Sequence, residues 1–357
     1  LESKHSLSPR QKRVLTDIAQ CRTAILGGHL DKCQNCGYEH PSYNSCRNRH
    51  CPKCQALAQE KWIADQQQRM LDVKHFHVVF TLPAELRPLA AFAKDAVYGA
   101  LFRAASATLL EFGERRLSAT VGATLVLHTW TRELRFHPHV HAIVTGGGLS
   151  RNGTQWHSVR RAFLFPVKLM SRVFRGKMID ELQRAHKEGE FTGFDDFDDP
   201  EAFSKLVSKL WQQPWVVYAK PTFSKGEYVL KYLGRYTHRV GIANSRLIDV
   251  TTDYVHFRSK GDGTETVSPV EFLRRFVQHV LPDGFHKIRH YGLNASPEKR
   301  EQARGILNAP AIVVPLPSWR ERVAKLTGRD VSRCPNCSGV LIALPLAHAR
   351  APPEAPA

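Results

Sequence analysis

The stretch FHPHVHAIVTGGG, residues 136–148, decides the fold. Apolar and β-branched residues alternate with histidines along it, which predicts a strand with one face in a core. Successive side chains of a strand point to opposite faces, so His137, His139 and His141 share a face while Val140 anchors the other. Pro138 has no amide hydrogen to give a ladder, so the regular strand is expected to begin at His139. Two neutral imidazoles two residues apart can chelate one divalent ion, which singles out His139 and His141. The preceding stretch, GATLVLHTW (122–130), reads as a second strand, joined to the first through the short polar connection Thr131 to Phe136. If the two pair as a hairpin, His128 falls opposite His139 and becomes the expected third ligand, with His137 as the alternative.

Working outward, HFHVVFTLP (75–83) reads as a strand that stops at Pro83. Its His75 and His77 are read as ordinary strand residues lining a groove. Residues 9–20 read as a short amphipathic helix, 56–72 show helical periodicity, 86–116, 167–187 and 201–212 read as helical, and WVVYAKP (215–221) is a strand. Residues 246–259 suggest a hairpin turning near Thr251 to Asp253, followed by a helix over 267–281 and a basic strand over 285–293. The acidic stretch FDDFDDPE (194–201) reads as a solvated loop.

A second chemical feature lies in EYVLKYLGRYTHR (227–239), a predicted helix. Tyr228, Tyr232 and Tyr236 recur every fourth residue and so stack along one helix face. An aromatic stripe of this kind often belongs to a core, but Lys231, Arg235, His238 and Arg239 crowd the same two turns. A phenol with a pKa of about 10 is a poor nucleophile unless cations stabilise its phenolate. Here those cations are local.

Six of the eight cysteines form Cys-x-x-Cys pairs, a pattern that favours metal over disulfide in a reducing compartment. Cys33 and Cys36, with Cys51 and Cys54, are expected to complete one tetrahedral structural Zn2+ site. Cys21, His29, Cys46 and His50 flank them and could build a second zinc site. Cys334 and Cys337 are half a site, for which His348 is the nearest further ligand in sequence.

The 357 residues carry 51 Lys plus Arg against 33 Asp plus Glu, a formal charge of +18 that points to a polyanionic partner such as nucleic acid. Among the basic positions, Lys231, Arg235, Arg239, Arg274, Arg275 and Arg289 are the expected DNA contacts. No stretch approaches the ~20 apolar residues of a membrane span, and no P-loop is present, which excludes that class of nucleotide site. The chain opens at Leu1 rather than methionine, as a truncated reading frame would, and its Ala/Pro-rich end (346–357) is expected to be disordered.

The segments NSCRNRHCPKCQ, HVVFTLP, FHPHVHAIVTGG, YLGRYTHRV and RFVQHVLPDGFHKIRHYG together resemble the two-tyrosine rolling-circle transposases of the insertion-sequence-91 type, within the HUH endonuclease superfamily. The resemblance runs from about Cys21 to Cys337. It implies an α+β fold in which an antiparallel sheet flanked by helices follows a small zinc-binding module. Domains are accordingly expected at 1–72 (zinc module), 73–300 (catalytic), 301–345 (helices and a knuckle) and 346–357 (tail). It further implies Tyr232 and Tyr236 as the catalytic pair, with Tyr228 in reserve, and Mg2+ or Mn2+ at the histidines. The implied reaction is cutting and rejoining of single-stranded DNA at element ends and targets, through a 5′-phosphotyrosine, in the bacterial cytoplasm at the nucleoid. A plasmid or phage rolling-circle replication initiator, and a non-catalytic zinc-module DNA-binding protein, are the alternatives.

Overall fold

A computed structural model describes residues 7–159, 164–194, 197, 199–221, 241–309 and 317–346. Two compact units emerge, neither continuous in sequence: the first from Leu1–Asp65, Gly234–Val280 and Val314–Ala357, the second from Gln66–Leu233 and Leu281–Val313. The fold class is α+β, with every strand pairing among the described residues antiparallel.

In the first unit, helix α1 (Pro9–Gln20) starts at a capping box in which Ser8 and Gln11 satisfy each other's amides. Strands β1 (Gly28–Cys33) and β2 (Glu39–Tyr43) then form a hairpin, and helix α2 (Gln55–Arg69) follows. This hairpin is absent from the expectations drawn from sequence, because its short, half-exposed strands carry no clear alternation of apolar and polar residues.

The second unit is built on a sheet whose strands are β3 (His75–Thr81), β4 (Ala119–Trp130), β5 (Phe136–Ser150), β6 (Trp156–Ser158), β7 (Val216–Pro221) and, from later in the chain, Ile288–Gly292. Its helices are α3 (Arg87–Phe92), α4 (Lys94–Leu117), α5 (Val167–Lys187) and α6 (Pro200–Gln212). Returning to the first unit, β8 (Leu247–Val250), β9 (Val255–Arg258) and β10 (Thr264–Val267) make a small sheet, and helix α7 (Pro269–Val277) follows. The strand Ile288–Gly292 is thus β11, and helix α8 (Pro297–Leu307) closes the second unit. Helix α9 (Trp319–Thr327) and strand β12 (Leu341–Pro345) belong to the first, where β12 pairs with β1 in the order β12-β1-β2.

The main sheet runs β11-β4-β5-β3-β7, with β6 added to β5. Its two faces follow from the alternation of the strands. Phe76, Val78 and Phe80 on β3 lie opposite Val144, Ala142 and Val140 on β5, and these oppose Ala123, Leu125 and Leu127 on β4. All are buried in one core with Leu101, Phe102, Ala105 and Leu109 of α4 and Phe174, Met178 and Leu182 of α5. Burial of the Val, Leu, Phe and Met side chains among them contributes about 1.5–3 kcal/mol each, which makes this layer the main reason the sheet holds its register. At the edge, Gly292 has φ of +57°, and a Cβ there would lie 1.9 Å from the Val121 carbonyl oxygen. Only glycine lets β11 end so close to β4.

The opposite face carries polar side chains. Lys220, His77, Ile143, Thr124 and His290 form one row across it. Val79, His141 and Val126 form the next, and Thr81, His139 and His128 the third.

Candidate metal centre and cysteine clusters

His128 pairs directly with His139 in the β4–β5 ladder, and His141 lies one same-face step further along β5. The ligand atoms of His128, His139 and His141 lie within 4.8 Å of one another. Nε2 of His139 and Nε2 of His141 are 3.1 Å apart. Two nitrogens, each about 2.0–2.1 Å from one ion, fall about 2.8–3.4 Å apart between octahedral and tetrahedral angles, so the spacing fits a shared metal. Nδ1 of His139 sits 2.7 Å from the His137 carbonyl oxygen. Donating there leaves the lone pair on Nε2, the atom that faces His141. The His128 ring completes the group, 4.2 Å from His141 between centroids and stacked on Trp130.

Burial holds His128 and His141 well below the usual imidazole range, aided by the neighbouring histidines. His139 is lowered to about 4, again mainly by burial. These imidazoles are therefore neutral at pH 7, the form that ligates metal. His137 stands apart from the trio: its Nδ1 lies 3.2 Å from an Arg87 guanidinium nitrogen, which can only donate.

One member of the site escaped the sequence reading. Nε2 of His77 lies 2.7 Å from Nδ1 of His141, with the rings parallel. Of the His-Phe-His pair, His75 turns to its own chain instead, with Nδ1 2.8 Å from the Val73 carbonyl oxygen. The shared strand parity of His77 and His141 was visible in sequence, but which strands are neighbours was not.

The expected tyrosine helix (227–239) lies outside the described residues, and with it Tyr228, Tyr232, Tyr236, Lys231, Arg235 and Arg239. The remaining expected DNA contacts are engaged within the protein. Arg274 and Arg275 both bridge to Glu271, at 2.6 and 2.8 Å, and Arg275 also reaches Glu265 at 3.0 Å. Arg289 opposes Leu125 and so belongs to the helix-covered face, where its guanidinium stacks 4.4 Å from the Phe102 ring.

The cysteines group differently from the expectation. Cys33 and Cys36 do not meet Cys51 and Cys54. One cluster is Cys21, Cys46, Cys51 and Cys54; the other is Cys33, Cys36, Cys334 and Cys337. The β1–β2 hairpin is the cause. Gly28 pairs with Tyr43 at its base and Lys32 with Glu39 at its tip. Cys21 and Cys46 therefore flank the base, whereas Cys33 and Cys36 sit at the tip, about 13–17 Å away at ~3.3 Å per residue. One tetrahedral ion cannot span that distance.

Nor do His29 and His50 join the cysteines. His29 Nε2 lies 3.1 Å from an Asp31 carboxylate oxygen, and His50 Nδ1 lies 3.0 Å from Asn48 Oδ1. The base cluster has Sγ atoms 3.3 Å (Cys21–Cys54) and 3.6 Å (Cys46–Cys54) apart. Four thiolates about 2.3 Å from a tetrahedral zinc would be about 3.8 Å apart, so the base cluster fits structural Zn2+.

Comparison with known proteins places this geometry in context. Residues 122–302, which include most of β4 and all of β5 and β11, match a family described as "Putative transposase". Residues 1–82 match a "Transposase zinc-binding domain". A "Putative transposase y4qJ" of Sinorhizobium fredii is 43% identical over 350 residues, covering 93% of this chain and 88% of that protein. The "Transposase for insertion sequence element IS801" of Pseudomonas savastanoi pv. phaseolicola is 32% identical over 296 residues, covering 79% and 70% respectively. No solved structure matches the chain.

Proposed function

We propose that this chain, which belongs to the IS91/IS801 family of transposases, nicks and rejoins single-stranded DNA by tyrosine transesterification in rolling-circle transposition. The observation that carries the reading is the convergence of His128, His139 and His141 on one sheet face. An HUH-type endonuclease needs such a cluster to hold a divalent ion, Mn2+ or Mg2+, and the all-imidazole donor set favours Mn2+ of the two. When bound, that ion supplies Lewis acidity at the scissile phosphate.

The chain's own groups do the rest. Tyr232 attacks the phosphorus and forms a 5′-phosphotyrosine, releasing a 3′-hydroxyl. Tyr236 serves the second strand. Because the covalent link retains the phosphodiester's energy, a 3′-hydroxyl can reverse the step and join new ends without a nucleotide cofactor. Lys231 and Arg235 stabilise the phenolate form of the attacking tyrosine. No described helix is long and apolar enough to cross a membrane, and the proposed setting is the bacterial cytoplasm, at the nucleoid.

The test is incubation with single-stranded element ends and Mn2+, followed by denaturing electrophoresis for a covalent protein–DNA adduct. Adduct formation by the wild type, and its loss in Tyr232→Phe/Tyr236→Phe, is expected. An adduct that persists in the double variant overturns the tyrosine assignment. Absence of any wild-type adduct favours a DNA-binding role without catalysis.

A further inference from the structure

The Cys-x-x-Cys pair near the end of the chain falls outside both the zinc-binding match, which ends at residue 82, and the transposase match, which ends at 302. We infer that Cys33, Cys36, Cys334 and Cys337 form a second structural Zn2+ site, so that the zinc module is completed by the far end of the chain.

The geometry carries this in three steps. First, the two knuckles meet face to face: Cys33 Sγ lies 3.5 Å from Cys337 Sγ, and Cys36 Sγ lies 3.6 Å from Cys334 Sγ. These distances are near the ~3.8 Å edge of a zinc tetrathiolate and far beyond the ~2.05 Å of a disulfide.

Second, the two knuckles have the same conformation. In CQNC the Asn35 amide points at Cys33 Sγ, and in CPNC the Asn336 amide points at Cys334 Sγ, each at 3.4 Å. The Cys33 amide donates to the Tyr38 carbonyl and the Cys334 amide to the Gly339 carbonyl, both at 2.8 Å and both spanning five residues. Gly37 and Ser338, each following the second cysteine, both take positive φ, at 70° and 59°. Ser338 does so despite its side chain, in a backbone region that non-glycine residues enter uncommonly. Amides aimed at sulfur stabilise thiolate over thiol. Two segments far apart in sequence have thus adopted one ligand-presenting turn.

Third, the backbone leads both knuckles to one place. Strand β12 pairs antiparallel with β1, Cys33 opposite Leu341 and His29 opposite Pro345. That register sets the residues just before β12, Cys334 to Val340, against the tip of the β1–β2 hairpin. The Gln34 amide donates to the Val340 carbonyl at 3.3 Å and fixes the approach. Cys33 and Cys334 are buried while Cys36 and Cys337 are exposed, so each knuckle contributes one inner and one outer sulfur. The site is closed by four protein ligands, which makes it structural rather than catalytic. It clasps segments 298 residues apart in sequence and needs neither the tyrosines nor the sheet histidines.

The experiment counts zinc per chain in full-length protein by mass spectrometry of the metal. Cys33→Ser/Cys36→Ser and Cys334→Ser/Cys337→Ser are each expected to lose one zinc relative to wild type. The variant carrying all four substitutions is expected to lose no more than either pair alone. Full zinc retention in Cys334→Ser/Cys337→Ser, or loss of two ions in the fourfold variant, overturns the shared site. A measurement on the unsubstituted chain guards against misfolded variants: after cadmium exchange, its NMR spectrum is expected to show two tetrathiolate resonances. A single such resonance overturns the inference.

Discussion

His77 and His141 are joined diagonally across β3 and β5, Nε2 of the first 2.7 Å from Nδ1 of the second. When Nε2 of His141 ligates a metal beside His139, the ring proton is left on Nδ1, which would then donate to Nε2 of His77. The arrangement parallels His139, whose Nδ1 donates to the His137 carbonyl. His77 is thus a positioning residue, and such partners of a ligating histidine typically contribute about 10–100-fold in metal affinity. His77→Ala is expected to weaken Mn2+ binding by about that factor. His77→Gln, which keeps an acceptor, should recover most of it. Calorimetric titration with Mn2+ reads both, and equal affinity in wild type and His77→Ala would rule the role out.

Removing a ligand itself should act more strongly. His139→Ala and His141→Ala each delete one of the two nitrogens 3.1 Å apart. Lewis-acid stabilisation of several kcal/mol corresponds to a loss on the order of 10²-fold or more in the rate of adduct formation. His137→Ala, outside the trio, should retain activity within about tenfold. Single-turnover kinetics on a labelled strand compares the three.

Chelation should destabilise the first unit selectively. Cys51→Ser opens the base cluster of Cys21, Cys46, Cys51 and Cys54, and structural zinc contributes directly to folding. Thermal unfolding of the full chain with and without a strong chelator is expected to show an early transition on metal removal. Cys51→Ser should show that transition without chelator. Identical melting curves would mean that the cluster does not hold a stabilising ion.

Arg289 offers a contrast with the sequence reading. Its charge stacks on Phe102 and Phe285 and donates to the His286 carbonyl. Arg289→Ala is expected to cost about 0.5–2 kcal/mol of stability through the lost cation–π contact while leaving the salt dependence of single-strand binding unchanged. A residue that contacts phosphate would instead lower that slope by about 0.7 on substitution. Fluorescence anisotropy over a salt series separates the two roles.

Local chemistry is readable in the sequence itself. Alternation placed His139 and His141 on one face and Val140 on the other, and a hairpin was enough to set His128 opposite His139. Helices α4, α5 and α6 and strands β3, β4, β5 and β7 were legible as helical or β-rich stretches, and all contribute side chains to the same core. The Cys-x-x-Cys spacings likewise marked ligand-presenting turns. All of these are interactions within a few residues or across one short connection.

Partner choice was a matter for the tertiary structure. His77 joined the site because β3 lies beside β5 in one register, which brings a residue 64 positions away to a single imidazole. Cys33 and Cys36 left Cys51 and Cys54 because a stiff hairpin separates its tip from its base by more than one ion can bridge. The order of residues along the chain dictated which groups could ligate, donate or pack. Which of them share one ion or one hydrogen bond was decided by strand neighbours and register, set by burial of side chains distant in sequence.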